Sequence, residues 1–359
     1  MKIGMFGLPL TGKTTIFSLL VGIPYDSSYK TEADEKIARI KDERLDILAK
    51  IYNPHRIVYA TLDFVDIPSF DIAADKKEKN KIFQMIQNVD ALLLVIRAFR
   101  NDQVPFPFGN ETPQQQLEAL RTELIIRDME VVENRILRLQ EQKRKKKPTP
   151  EEEREEVLLG LIQKELEDGN FASRLQLTHE DKKVLGSLAC FTLKPIITVV
   201  NVDDEQLLAD DFPGKQIILD ECTKQNFAFL IVSGKIESEL VELDEEARKD
   251  FMTELGIQKA GIQRLVQVVF DHIGYISFFT VGKDEVRSWT LEQGATMKTA
   301  AAKIHTDLAR GFIKAEVMKF SDLIRLESEE KVKQAGLWKL VGKDEIVEDA
   351  DIITIRSSL

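Results

Sequence analysis

Eight residues near the amino terminus, Gly7-Leu8-Pro9-Leu10-Thr11-Gly12-Lys13-Thr14, place two glycines, a lysine and a hydroxyl at the spacing G-x-x-x-x-G-K-[ST]. Each residue type has a task in holding a phosphate chain. The glycines let the backbone turn tightly, successive N–H groups meet the anion, the lysine reaches the outer phosphates, and the threonine hydroxyl ligates Mg²⁺. Such a loop needs a strand before it and a helix after it. Ile3 to Phe6 reads as a buried strand and Thr15 to Val21 as the start of a helix, so the bound charge would lie at a helix N-terminus. A nucleoside triphosphate site is expected at Pro9, Leu10, Thr11, Gly12, Lys13, Thr14 and Thr15.

The rest of that site should recur downstream at strand ends. Tyr59 to Val65 is β-rich and runs into Asp66-Ile67-Pro68-Ser69, where a GTPase carries D-x-x-G; Asp66 is expected at the Mg²⁺ ion. Ser69 replaces the glycine that lets a backbone N–H approach the γ-phosphate, and Phe70 stands where many GTPases have the glutamine that orients water. Ile196 to Val200 ends in Asn201-Val202-Asp203-Asp204, at the place of N-K-x-D. A carboxylate at Asp204 can accept from the N1–H and N2–H₂ edge of guanine, which adenine does not offer. Val202 replaces the lysine that normally packs along the base. Ser233-Gly234-Lys235, after the strand Phe227 to Val232, matches the loop bordering the base on its other side.

With these pieces in order, the chain resembles the YchF, or Obg-like ATPase, family of translation-factor-related P-loop proteins. Further blocks carry the likeness: Arg44-Leu45-Asp46 before Asn53-Pro54, Phe64-Val65-Asp66-Ile67, Asn88-Val89-Asp90-Ala91, Val232 to Glu237, Phe278 to Gly282, Glu285 to Thr290 and Arg310 to Val317. The resemblance implies an α/β P-loop NTPase G domain with an inserted α-helical hairpin, and a C-terminal α+β β-grasp (TGS) domain. It also implies a slow ATP- or GTP-hydrolysing switch using Mg²⁺, read by ribosomes or RNA. Two departures stand out. Relatives carry Cys-Thr-Ile-Glu-Pro-Asn where this chain has Lys30 to Glu35, leaving Thr31 as the surviving Mg²⁺ ligand, and they carry glutamate, associated with adenine, where this chain has Asp204.

The elements needed to position these residues are legible too. The expected boundaries are 1–111 and 194–274 for the two parts of the G domain, 112–193 for the helical insertion and 275–359 for the TGS domain. Leu117, Leu120, Leu124, Ile125, Met129, Val132, Ile136 and Leu139 recur at helical steps, and Val157, Leu158, Leu161, Ile162 and Leu166 do so on the return. Between them, Lys143 to Lys147 form a basic tip beside Glu151 to Glu156, a candidate RNA contact or simply a solvated end. Ile276 to Val281, Val286 to Thr290, Phe312 to Val317 and Asp351 to Arg356 read as strands with a helix over Met297 to Leu308. Ile313, Ala315 and Val317 should face a core. Arg310, Lys314 and Lys319 are candidate RNA contacts there.

Fifty basic against sixty-one acidic residues give a net charge of −11, which argues against broad nucleic-acid binding; any RNA contact must be local. There is no long apolar run and no signal-like leader, so a cytoplasmic monomer with no membrane contact is expected. Cys190 and Cys222 and the four histidines have no metal-ligand spacing. The alternatives to a slow switch are a hydrolysis-deficient nucleotide-binding regulatory module, motivated by Ser69 and Phe70, and a small-molecule kinase, which would not need Asn201 with Asp204.

Overall fold

The computed structural model describes residues 1–25, 32–101, 104 and 112–358. In chain order the strands are β1 (Lys2–Phe6), β2 (Asp34–Arg39), β3 (Arg56–Val58), β4 (Thr61–Asp66), β5 (Ala91–Arg97) and β6 (Ile196–Asn201). Next come β7 (Ala228–Val232), β8 (Tyr275–Thr280), β9 (Glu285–Glu292), β10 (Phe312–Lys319), β11 (Lys339–Val341) and β12 (Asp351–Ser357). Two compact units form: Met1–Ala38 with Asp63–Val268, and Arg39–Leu62 with Val269–Leu359.

The first unit is built on a sheet of order β2-β4-β1-β5-β6-β7, in which β4, β1, β5, β6 and β7 pair as parallel neighbours. Every residue of β5 and β6 is buried, and all but Arg97, Thr198 and Asn201 are apolar, as suits parallel strands covered on both faces. Because these strands run the same way, Phe6, Asp66, Arg97, Asn201 and Val232 all end at one edge, where ligand loops of open α/β sheets gather.

The helical insertion shares this unit's core. Thr112 caps Pro113–Lys145 and Thr149 caps Pro150–Glu167, each through a reciprocal capping box with proline in the first turn. The first stripe packs as expected, with Leu117, Leu120, Leu124, Ile125, Val132 and Leu139 buried. The return stripe differs: Leu158, Leu159, Ile162 and Leu166 are buried, while Val157 and Leu161 are exposed. Leu159 lies on the same side as Leu158 and Ile162, and that rotation of the helix turns Val157 and Leu161 outward. Arg135 holds the buried Glu155 with two bonds of 2.7 and 2.8 Å, tying the helices together. At the tip, Lys146 bonds Glu152 at 2.8 Å and Lys143 pairs with Glu156, so part of the basic run is matched by the acidic run that follows it.

The second unit carries a sheet of order β11-β10-β12-β8-β9-β3. Its make-up corrects the expected 1–111 segment. Residues 39–62 belong here because β3 pairs with β9, and because Leu45 and Leu48 of the helix Glu43–Tyr52 share a core with Phe279, Val286 and Met318. The β10 alternation is also corrected. Ala315 and Val317 are buried as expected, but Ile313 is exposed, where a register shift lies between Phe312 and Lys314, and Met318 is buried because it packs in the core of Leu45, Phe279 and Val286, apart from that of Ala315 and Val317. The single helix expected over Met297 to Leu308 breaks at extended His305 into Met297–Ile304 and Thr306–Arg310. Lys319 is committed to the fold, bonding Asp351 at 2.6 Å and Glu348 at 2.8 Å, and Arg310 lies 3.8 Å from Asp307.

Candidate nucleotide-binding site

Leaving β1, the chain turns through the Gly7–Thr14 loop into the helix Lys13–Val21. Two residues of the turn adopt positive φ, Leu10 at 63° and Gly12 at 82°. At Gly12 a side chain is excluded twice over, because a Cβ there would also lie 2.2 Å from the amide nitrogen of Asn201. Thr11 is buried and its hydroxyl donates to the Leu8 carbonyl at 3.1 Å, which closes the turn. With no capping side chain at Gly12, the first N–H groups of the helix stay available to an anion.

Lys13, Thr14 and Asp66 converge. The buried Lys13 ammonium donates to the Asp66 carboxylate and to the Ile67 carbonyl, and the Thr14 hydroxyl donates to the other Asp66 oxygen at 3.1 Å. An ammonium, a hydroxyl and a carboxylate brought to one point at a helix N-terminus suit an outer phosphate and a hard divalent cation, which prefers oxygen ligands. The donor set of Thr14 and Asp66 therefore fits a hard divalent cation such as Mg²⁺. Thr31, the third expected ligand, lies outside the described residues.

After Asp66 the chain is pinned. Ile67 and Phe70 are fully buried, and the Phe70 N–H donates to the Gly7 carbonyl at 2.9 Å. The Phe70 ring packs edge-on to Phe6 at 5.1 Å and against Phe83 at 5.7 Å. Phe70 is thus a core residue, which places its side chain away from any water-orienting role.

Asn201 joins the three loops. Its amide nitrogen donates to the Thr11 carbonyl at 3.1 Å, and its amide oxygen accepts from the Gly234 N–H at 2.9 Å. Thr15 lies beside Gly234, where a Cβ would meet its methyl group at 3.6 Å. Asn201 therefore holds the phosphate loop against Ser233-Gly234-Lys235 and is a brace for the site more than a reader of the base. Replacing it with alanine leaves a buried carbonyl and a buried N–H unmatched. Asn201→Ala should cost about 1–3 kcal/mol in stability and weaken ATP and GTP alike, as thermal denaturation and titration will register.

Val202, expected along the base, packs in the core instead; its N–H donates to the Val232 carbonyl at 2.9 Å, extending the ladder and turning its side chain inward. Asp203 caps the helix Asp204–Ala209, accepting from the Gln206 N–H at 3.0 Å. The Asp204 carboxylate pairs with the Lys235 ammonium and lies 3.5 Å from the Ser233 hydroxyl. Asp204 is 35% exposed and Lys235 66%, so both remain accessible. Ser233 caps the helix Gly234–Glu242, and the buried Glu237 on that helix accepts from the Gly261 N–H at 2.6 Å, fixing the loop from beneath. Burial pushes the Glu237 carboxyl above its usual range.

Comparison with known proteins gives consistent matches. A family model described as YchF-GTPase_C, a protein of unknown function (DUF933), matches residues 275–358. The chain is 34% identical to the ribosome-binding ATPase YchF of Haemophilus influenzae over 361 residues, covering 99% of this chain and 98% of the relative. It is 33% identical to the Bacillus subtilis protein of the same name, with 98% of each chain covered. The solved structure of the Schizosaccharomyces pombe YchF GTPase matches with a TM-score of 0.85 at 27% identity, across 99% of this chain and 97% of that one. The bacterial relatives are thus named for ATP and the yeast one for GTP.

Proposed function

The chain belongs to the YchF family, and on that premise we propose that it binds one Mg²⁺-nucleoside triphosphate, hydrolyses it slowly, and signals its nucleotide state to the ribosome or to RNA. The observation that carries this is the meeting of Lys13, Thr14 and Asp66 at the N-terminus of the helix Lys13–Val21. Lys13 and the loop N–H groups would hold and orient the outer phosphates, Thr14 and Asp66 would hold the metal, and Asn201 keeps the base loop in register with the phosphate loop. Bound there, Mg²⁺ would neutralise charge building between the β- and γ-phosphates.

Adenine should be accepted at least as well as guanine. A guanine edge must compete with the Lys235 ammonium for the Asp204 carboxylate, whereas adenine makes no claim on it. In competitive titration ATP should bind as tightly as GTP or more so, and Asp204→Asn should change ATP affinity by less than about threefold. A GTP preference lost only in Asp204→Asn would reverse that assignment.

Intrinsic hydrolysis should fall below about 10⁻² per second, because the segment after Asp66 offers a buried Phe70 in place of a water-orienting side chain. Steady-state phosphate release measures this. The second reading, a nucleotide-binding regulatory module that has lost hydrolysis, is favoured by the same Phe70 burial and predicts no release above the buffer rate.

Ribosome contact rests on the name of the bacterial relatives. Within this chain the exposed Arg144, Lys145 and Lys147 at the hairpin tip and Lys314 on β10 are the positions that suit a phosphate backbone. Among the described residues no helix is long and apolar enough to cross a membrane. A cytoplasmic monomer completes the reading.

A further inference from the structure

Strand β7 ends the first unit's sheet, with β6 on its inner side and no strand beyond it among the described residues. Its partners fix which backbone groups point outward. The Val232 carbonyl accepts from the Val202 N–H on the β6 side, whereas the Ile231 carbonyl accepts from the Arg264 guanidinium at 3.3 Å. Since successive residues of a strand alternate, Phe229 and Ile231 turn their N–H and C=O groups to the open side. Natural sheets blunt such an edge with a lysine, a proline or an inward charge. The run Ala228-Phe229-Leu230-Ile231-Val232 carries none of these, and the side chain that covers the Ile231 carbonyl, Arg264, is itself exposed.

A groove of about 650 Å³ lies against this edge, lined by residues 229–233 together with Leu207, Leu208, Leu255 and Ile257. Leu208 is 53% exposed there. The groove's charges are uneven. Lys215 is matched by Asp210 at 2.9 Å, and the Glu237 carboxylate accepts from the Gly261 N–H and feels the charge of Arg264. Lys259 has no carboxylate in ion-pair contact among the described residues. It closely precedes Gly261, where a Cβ would lie 3.4 Å from a Val232 methyl group, so the surplus cation stands toward the Val232 end of the edge.

We propose that this edge is a docking site for an extended segment of a partner protein. The segment adds a strand to β7 through Phe229 and Ile231, seats apolar side chains at alternate positions against Leu207, Leu208, Leu255 and Ile257, and sets a carboxylate beside Lys259. Outward backbone groups select an extended occupant, because a helix satisfies its own N–H and C=O groups and gives β7 nothing to pair with. Arg264 has to leave the Ile231 carbonyl, and its exposed side chain is free to swing aside.

The test is selection of a random peptide library displayed on phage against the purified full chain, followed by titration of the selected synthetic peptides by fluorescence anisotropy. Selected peptides should be apolar at every second position and carry Asp or Glu at one end. Leu208→Glu should weaken them about tenfold and Lys259→Glu about fivefold. Bound peptide should slow hydrogen–deuterium exchange at the Phe229 and Ile231 amides, and N-methylating alternate peptide residues should abolish binding in one register and spare it in the other. The exchange measurement uses the parent alone, so it decides even where a variant fails to fold. A library that yields no binder, binders indifferent to both substitutions, or binders that leave those two amides exchanging as in the free chain overturn the proposal. So does a parent that sediments as a dimer and becomes a monomer as Leu208→Glu, because a second copy is then the occupant.

Discussion

Lys13→Ala is expected to weaken triphosphate binding by about 3 kcal/mol, roughly a hundredfold, because it removes the one cation that the loop aims at the outer phosphates. The same substitution should lower stability. Asp66 is buried and loses its ammonium partner, and breaking a buried pair by removing one member costs about 3–5 kcal/mol. Binding must therefore be compared at a temperature where circular dichroism shows both proteins folded. A folded Lys13→Ala variant that binds ATP and GTP as the parent does would mean that the phosphate loop has another function.

Phe70→Ala should be a stability mutant and not a catalytic one. The ring is fully buried between Phe6 and Phe83, so truncation opens a cavity at a cost of about 3–5 kcal/mol. For a unit of this size that lowers the melting temperature on the order of 10 °C. Phosphate release per folded molecule should stay within about threefold of the parent. A change of tenfold or more in release with an unaltered melting temperature would place the ring at the γ-phosphate after all.

Much of the site could be read from residue type and order, since a phosphate loop depends on local backbone geometry that its glycines, lysine and threonine announce. Lys13, Thr14 and Asp66 do meet, and Asn201 and Gly234 stand beside the loop. What local pattern could not tell was the direction of a side chain once tertiary packing decides it. Phe70 and Val202 stand where many GTPases carry a glutamine and a lysine, and both turn into the core because an apolar group there gains more from burial than from lining a wet cleft.

The fold was legible in its parts but not in its joins. Apolar residues at steps of three and four announced the hairpin, yet such steps do not say which flank of the return helix is covered, and Leu159 displaced Val157 and Leu161. Residues 39–62 lie between two pieces of the first unit in sequence, and it takes long-range contacts, the pairing of β3 with β9 and the packing of Leu45 and Leu48 on Phe279, to assign them to the second. Pairing between segments more than two hundred residues apart leaves no periodic trace in either.

Calorimetric titration of the purified chain with ATP, first in the presence of Mg²⁺ and then with the metal chelated, tests the central claim most directly. One triphosphate bound per chain, with affinity falling at least tenfold on chelation, is the predicted result; no saturable binding of ATP or GTP, or binding indifferent to Mg²⁺, would contradict it.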